Sequence, residues 1–315
     1  MTVKGAGRLA AGAVTVVMLA GCAAVPPPVN RAGEAPATPQ AAATPVPPPP
    51  PVAIRAPIVP ADREFHYDGK FIQGGMVRGK IPSGTRSLTF DGKTIPVADD
   101  GRFLIAFDRD HGEQALLVAT LSDGSKVSKT LPVAKRAWRI QRLNHLPKVS
   151  QPSAEFQRRR PKELDQIHAA RAIDTGSQGW RQDFMWPATG RISGVFGSQR
   201  FYQGEPGAYH SGVDIAVPTG TPVLAPADGV VTLAQSDPFT LEGKLVFLDH
   251  GMGLNSVFIH LSKIDVHEGD HVKRGQKIAE SGSTGRATGP HLHWGLKWRD
   301  ARIDPMLIAG PMPKR

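Results

Sequence analysis

His210-Ser-Gly-Val-Asp214 and Gly282-Ser-Thr-Gly-Arg-Ala-Thr-Gly-Pro-His291-Leu-His293 are the stretches on which the fold turns. Residues two apart on a strand point to one face. His291 and His293 therefore enter the same cavity, with Leu292 turned to the other side. Two such imidazoles can bind one metal, or one can bind while the other moves protons. His210 and Asp214 pair an imidazole with a carboxylate, a common zinc donor pair. In a straight strand four residues span about 13 Å, too far for two side chains to meet on one ion. The backbone must bend between them, and Gly212 permits it. A third element is His260, in Val257-Phe-Ile-His-Leu-Ser262. A lone histidine in an apolar strand is more often a satisfied core residue. Each element is weak alone.

Together they are specific. Seven of the eleven histidines lie beyond Trp180, in a glycine-rich, β-branched region with regular turn signals. The series Ser193-Gly-Val-Phe-Gly197, His210–Asp214, His260-Leu-Ser262 and Gly282–His293 closely resembles the lysostaphin/LytM-type zinc metallopeptidases, in that family's order. The resemblance covers roughly residues 186–305. It implies zinc held by His210, Asp214 and His293, with His260 and His291 as catalytic histidines. Phe258 stands where many members carry tyrosine. The implied activity is a zinc metalloendopeptidase that cuts peptide crosslinks of peptidoglycan. For an exported protein of a diderm bacterium, the D-alanyl–diaminopimelate bond is the natural target. The chemistry agrees: three protein ligands leave a fourth zinc position for water, as in catalytic sites. His291 is assigned as base and His260 as oxyanion stabiliser or acid. No HExxH motif is present. The alternative is a non-catalytic or autoinhibited activator of a cell-wall amidase. The complete ligand set disfavours it, and an amidase or divisome component would then be the partner. Gly282, Gly285 and Gly289 are expected to turn the loop before His291. Arg286 in that loop is a candidate contact for a substrate carboxylate, with a solvated side chain as the rival. His250, His267 and His271 are read as structural or surface residues. The Val266–Ala279 segment resembles the hairpins of biotinyl carriers but presents no matching lysine.

The rest of the chain frames this domain. Of 315 residues, 40% are apolar, enough for real cores, and the formal charge is +10. A basic exported protein suits an anionic wall polymer or lipid surface, and nucleic acid is not expected as a partner. Cys22 is the sole cysteine, which excludes a disulfide scaffold and an intrachain cysteine zinc site. Residues 1–21 read as a signal peptide: Lys4 and Arg8, then the apolar run Leu9–Ala20. That run is too short to span a bilayer, which takes about 20 residues. Leu19-Ala-Gly-Cys22 closely resembles the bacterial lipobox, implying lipidation of Cys22 and a membrane anchor. The expected location is the cell envelope, at the periplasmic face of the outer membrane. Residues 22–60 form a Pro/Ala-rich tether: Pro26–Pro60 holds 13 of the 29 prolines.

The fold class expected is mainly β. Residues 61–145 read as a small immunoglobulin-like β-sandwich, with turns at Asp91-Gly92, Asp100-Gly101 and Asp123-Gly124. His66 and His111 within it are expected at the surface or in turns. Residues 146–179 read as a helical connector, with Leu164, Ile167, Ala170 and Ile173 at helical spacing and Pro161 at a first turn. Arg158-Arg159-Arg160 reads as a solvated face, or alternatively as a contact for anionic lipid or wall polymer. Residues 180–315 form the antiparallel-β LytM-type domain.

Overall fold

Two sheets built from short alternating strands open the structure, a computed structural model that describes residues 62–145 and 153–313. The lipobox, the tether and residues 146–152 lie outside the described residues. Strands β1 (His66–Gly69), β2 (Met76–Lys80) and β5 (Arg102–Ala106) form an antiparallel sheet in the order β1-β2-β5. Strands β3 (Thr85–Phe90), β4 (Lys93–Ile95), β6 (Gln114–Leu121) and β7 (Lys126–Pro132) form a second, in the order β4-β3-β6-β7. This is an immunoglobulin-like arrangement with the fourth strand beside the third. The β3–β4 turn needs positive φ at both central residues, and Asp91 (φ 47) and Gly92 (φ 77) supply it. Inward residues of β6 alternate with exposed ones, and Ala115, Leu117, Ala119 and Leu121 are buried.

The chain then runs along β8 (Ile140–Leu143) into α1 (Ala154–Ala172). Ser153 caps α1 by accepting the Phe156 N–H at 3.1 Å. Pro161 lies well inside this helix, not in its first turn as expected. The cap fixes the start two turns earlier, and ion pairs on the turns around the proline hold the helix down. Arg160 makes a bidentate bond to Glu242 at 2.6 and 2.9 Å, and Arg159 donates to the Pro238 carbonyl at 2.6 Å. The arginine run is thus neither a free solvated face nor an open anion-binding face at these two positions. It latches α1 to the sheet below.

That sheet is the C-terminal frame. Its strands are β9 (Arg191–Gly194), β12 (Val213–Ala216), β14 (Gly229–Phe239), β15 (Gly243–Asp249), β16 (Leu254–Leu261), β18 (His271–Val272), β20 (Leu292–Trp298) and β21 (Ala301–Ile303). The order is β18-β14-β15-β16-β20-β12-β9, with β21 on β20, and every pair is antiparallel. Smaller sheets join β13 (Pro222–Leu224), β19 (Lys277–Glu280) and β17 (Lys263–Ile264), and align β8 parallel to β10 (Gln199–Tyr202), which pairs with β11 (Glu205–Pro206). A short α2 (Pro305–Ala309) closes the chain.

The main sheet has two unlike faces. Val246, Leu248, Phe258, Trp294 and Leu296 join a core that also contains Phe90, Phe103 and Leu117 of the sandwich. Leu245, Phe247, Val257 and Ile259 face the other way and pack with Ile167 and Ala170 of α1. No helix among the described residues is long and apolar enough to cross a membrane.

Candidate active site

Asp214 on β12 sits directly opposite His293 on β20. Cross-strand partners bring Cβ atoms to about 5 Å, so their side chains meet without distortion. His210 arrives from the loop before β12. Its Nε2 lies 3.0 Å from Asp214 Oδ1 and 3.0 Å from His293 Nδ1, and His293 Nδ1 is 2.8 Å from the same Oδ1. Among the described residues, these three form a cluster able to hold a metal ion.

Glycines make this convergence possible, by room as well as by bending. The chain bends at Gly212, as expected, without needing a positive φ there. A Cβ there would sit 2.4 Å from the Trp294 carbonyl oxygen and 2.7 Å from His293 Nε2. A Cβ on Gly194 would lie 2.2 Å from Asp214 Oδ2. The bend needed to bring His210 to Asp214 is made because His210 lies outside the strand, its N–H donating to Ser198 and its carbonyl accepting from Gly197, both at 2.8 Å.

His260 and His291 complete the site. Their ring centroids are 4.7 Å apart, and the His260 ring is 6.4 Å from that of His293. His291 Nε2 is 3.8 Å from Asp214 Oδ1. His260 sits in a β-bulge, where β16 carries one more residue than β15 between paired positions. It has φ 65, a left-handed conformation rare outside glycine, which re-aims the ring toward the ligands.

Carbonyl oxygens only accept hydrogen bonds, and this fixes three tautomers. His210 Nδ1–H donates to Val195 at 3.1 Å, His260 Nδ1–H to Thr284 at 2.8 Å and His291 Nδ1–H to Gly289 at 2.8 Å. Each neutral ring therefore keeps its lone pair on Nε2. Burial pushes His260 down to about 4, which favours the neutral ring with its acceptor on Nε2. Burial likewise lowers His293, its largest influence, against the opposing bond to Asp214. Asp214 is held far below the usual carboxylate range: burial opposes ionisation, but bonds from His210 and His293 outweigh it. With a proton on a ring the Asp214 bonds form, but when both rings are neutral and turn lone pairs inward, a carboxylate and two imidazoles within 3.0 Å call for a positive centre between them. One proton cannot serve three acceptors, whereas a divalent cation can, so this donor set fits a metal.

The remaining expectations divide. His250 is fully buried, donating from Nδ1 to the Asp228 carbonyl at 2.8 Å and pairing with Ser256 at 2.7 Å. His66 pairs with Asp62, and His111 with Asp91. Gly282 and Gly285 are crowded against Ser262 and Gly243, but a Cβ on Gly289 would meet nothing. Arg286 is exposed at the loop, its N–H bonded to Leu241. Sequence reasoning missed the carbonyls of Val195, Thr284 and Gly289, which orient the rings, because main-chain acceptors leave no residue-type signal. It also missed Tyr209, beside His210, whose hydroxyl donates to Asp108 of the sandwich at 3.0 Å.

Residues 208–305 match the model of Peptidase family M23. A Pseudomonas aeruginosa structure described as an M23 peptidase superposes with a TM-score of 0.59 at 30% identity, covering 76% of this chain and 96% of that one. The Vibrio cholerae peptidoglycan DD-endopeptidase ShyA is 42% identical over 142 residues, which is 45% of this chain and 32% of the relative. The DD-carboxypeptidase/endopeptidase Mpg of Neisseria meningitidis is 38% identical over 124 residues, 39% of this chain and 28% of that relative. The chain thus spans about a third of the length of the curated relatives it matches. With the Pseudomonas likeness extending over nearly the whole of that structure, the chain belongs to peptidase family M23.

Proposed function

We propose that this protein is a zinc-dependent endopeptidase that hydrolyses peptide crosslinks of peptidoglycan, with the D-alanyl–diaminopimelate bond as its target. The observation that carries this reading is the convergence of His210, Asp214 and His293 beside two further imidazoles, with His291 Nε2 3.8 Å from Asp214 Oδ1 and the His260 ring 4.7 Å from that of His291. Relatives named as peptidoglycan DD-endopeptidases support the substrate class. Zinc held by those three residues supplies polarisation of a peptide carbonyl and a lowered pKa for a water molecule.

The chain's own residues handle the proton. His260 and His291 each have Nδ1–H tied to a carbonyl, so in the neutral ring Nε2 is the acceptor. One ring takes the proton of the attacking water at Nε2. It then presents an N–H to the developing oxyanion and the leaving amine. The 4.7 Å ring separation lets the two act as one base–acid unit. Arg286 is a candidate contact for substrate at the rim. Lipidation of Cys22 would tether the enzyme to the envelope, on the periplasmic face of the outer membrane, which suits a substrate fixed in the wall.

Zinc content and cleavage of isolated peptidoglycan test this together. Wild-type protein should carry one zinc per chain and solubilise crosslinked material. His293→Ala should lose both the metal and the activity, while retained zinc-dependent cleavage in that variant would overturn the ligand assignment.

A further inference from the structure

The face that carries His293 continues along the sheet. Ile259 pairs with His293, Val257 with Gly295 and Asn255 with Lys297, so these residues share one side of β16 and β20. Beneath the C-terminal end of α1, this face encloses a cavity of about 30 Å³. Its polar walls are Arg171, Lys297, Arg302, Ser211, Asn255 and Ser256. Three cations meet there, and no lining residue is acidic.

These cations are poorly matched by the protein itself. The Arg171 Nε is buried with no hydrogen-bond partner, and its guanidinium lies 5.1 Å over the Phe247 ring. Arg302 donates to the Tyr209 hydroxyl at 3.1 Å, a neutral partner. Lys297 makes no ion pair with a carboxylate among the described residues. The strain shows in their affinities for protons. Arg171 is pushed down to about 10, chiefly by burial and then by Arg302, against a smaller pull from Glu242, and Lys297 is lowered by burial, Arg171 and Arg302, which outweigh Asp300 and Asp108. A buried donor with no partner, the Arg171 Nε, and like charges held together are both costly, and an anion would relieve both.

Size and position narrow the anion. A water-sized group needs about 10–15 Å³ of such space, so the cavity takes a carboxylate or two waters but not a sugar ring. Arg171, Ser211, Val257 and Lys297 are half-buried and Arg302 is exposed, so the cavity is reachable from solvent. Ser211 follows the ligand His210 directly. Gly295 and Lys297 lie about 7 and 13 Å along β20 from His293, at the strand rise per residue. This is the spacing of a few residues of an extended peptide.

We propose that the cavity is a carboxylate subsite, in which Arg171, Lys297 and Arg302 hold a free carboxylate of the peptide substrate beside the cleavage site. The assignment of the carboxylate to a stem peptide rests on the endopeptidase reading above. Recognition of the carboxylate fixes the register in which the peptide lies across the metal ligands.

The test compares full-length wild-type protein with Lys297→Met and Lys297→Arg, on crosslinked muropeptides whose stem carboxylates are free or amidated. For the free form, Lys297→Met should raise KM roughly tenfold with kcat little changed, as for a lost charge-assisted bond. The amidated form should bind wild type about as weakly, with little further effect of the substitution, and Lys297→Arg should restore binding of the free form. An equal loss on both substrates would overturn the proposal. A second arm does not depend on turnover. Metal-free protein is melted in acetate and in chloride at equal ionic strength, and the same muropeptides are titrated at equilibrium. Acetate should raise the Tm of wild type more than that of Lys297→Met. If chloride stabilises as well as acetate and amidation leaves muropeptide binding unchanged, the cavity is a small-anion site only and the subsite is refuted. If no muropeptide is cleaved, the endopeptidase reading fails by itself, and preferential binding of the free carboxylate form still decides the subsite.

Discussion

Gly194 has no room for even a methyl group, since its Cβ would lie 2.2 Å from Asp214 Oδ2. Gly194→Ala should therefore displace a ligand carboxylate without touching the imidazoles. We expect zinc affinity to fall by about 10- to 100-fold, the range for disturbed ligand support, while the thermal midpoint moves little. Competition with a chromogenic chelator measures this, and unchanged affinity would show that Asp214 is not held by that contact. His250 gives a prediction about pH. Burial keeps it at about 4 in the folded state, below its ordinary value of 6.5. The unfolded chain thus binds more protons between those values. Stability is complete above pH 6.5 and declines as pH falls toward 4, by about 3 kcal/mol for this group. Melting from pH 7.5 to 4.5 should show the loss, and His250→Gln should start lower but have a shallower slope; an unaltered slope would remove His250 as its source. At this scale the sequence was informative about which side chains matter. The five residues could be singled out from motifs that resemble the lysostaphin/LytM-type family, and the structure brings them together, while their roles belong to the proposal. The lack of room at Gly212 could not be seen, because a clash with Trp294 and His293 exists only after folding.

Strands position the ligands, and the elements that brace those strands come from outside the matched family region. The β8 segment pairs with β10, in the loop that ends at His210. Arg109, only 5% exposed, donates to Gly197 and Gln199 at 3.0 Å and lies 4.8 Å over the Tyr209 ring. Trp138 packs on Phe196 of the same loop, at 5.8 Å. Arg109→Ala should destabilise the protein by about 3 kcal/mol, since its buried acceptors lose their donor. It should also loosen the His210 loop, so amide exchange at residues 195–210 should rise. Exchange confined to residues 106–112 would show that the brace does not reach the ligand. Helix α1 was legible from its apolar spacing, and the Asp91-Gly92 hairpin from its turn residues. The latch of Arg159 and Arg160 was not, because their partners Pro238 and Glu242 are far away in sequence.

Across the whole molecule, one buried core runs from the sandwich through the peptidase sheet, with Phe90 against Trp298 at 5.9 Å between ring centroids. The described residues belong to one compact unit, from Val59 to Arg315. The mainly β class was readable from turn signals and alternation. The fusion of sandwich and peptidase was not, because Phe90 and Trp298 look alike whether they face their own sheet or another. The anchor and tether, argued from Cys22 and the proline-rich segment, belong to the proposal for where the enzyme acts. The central claim is that this assembly cuts peptidoglycan crosslinks with a metal and two imidazoles. The direct measurement is mass spectrometry of muropeptides released from isolated, crosslinked peptidoglycan, with zinc-loaded protein, chelated protein and His291→Ala side by side. The account predicts loss of crosslinked dimers with zinc-loaded protein only, cut at the D-alanyl–diaminopimelate bond. Intact dimers with zinc bound, or equal cleavage by His291→Ala, would contradict it.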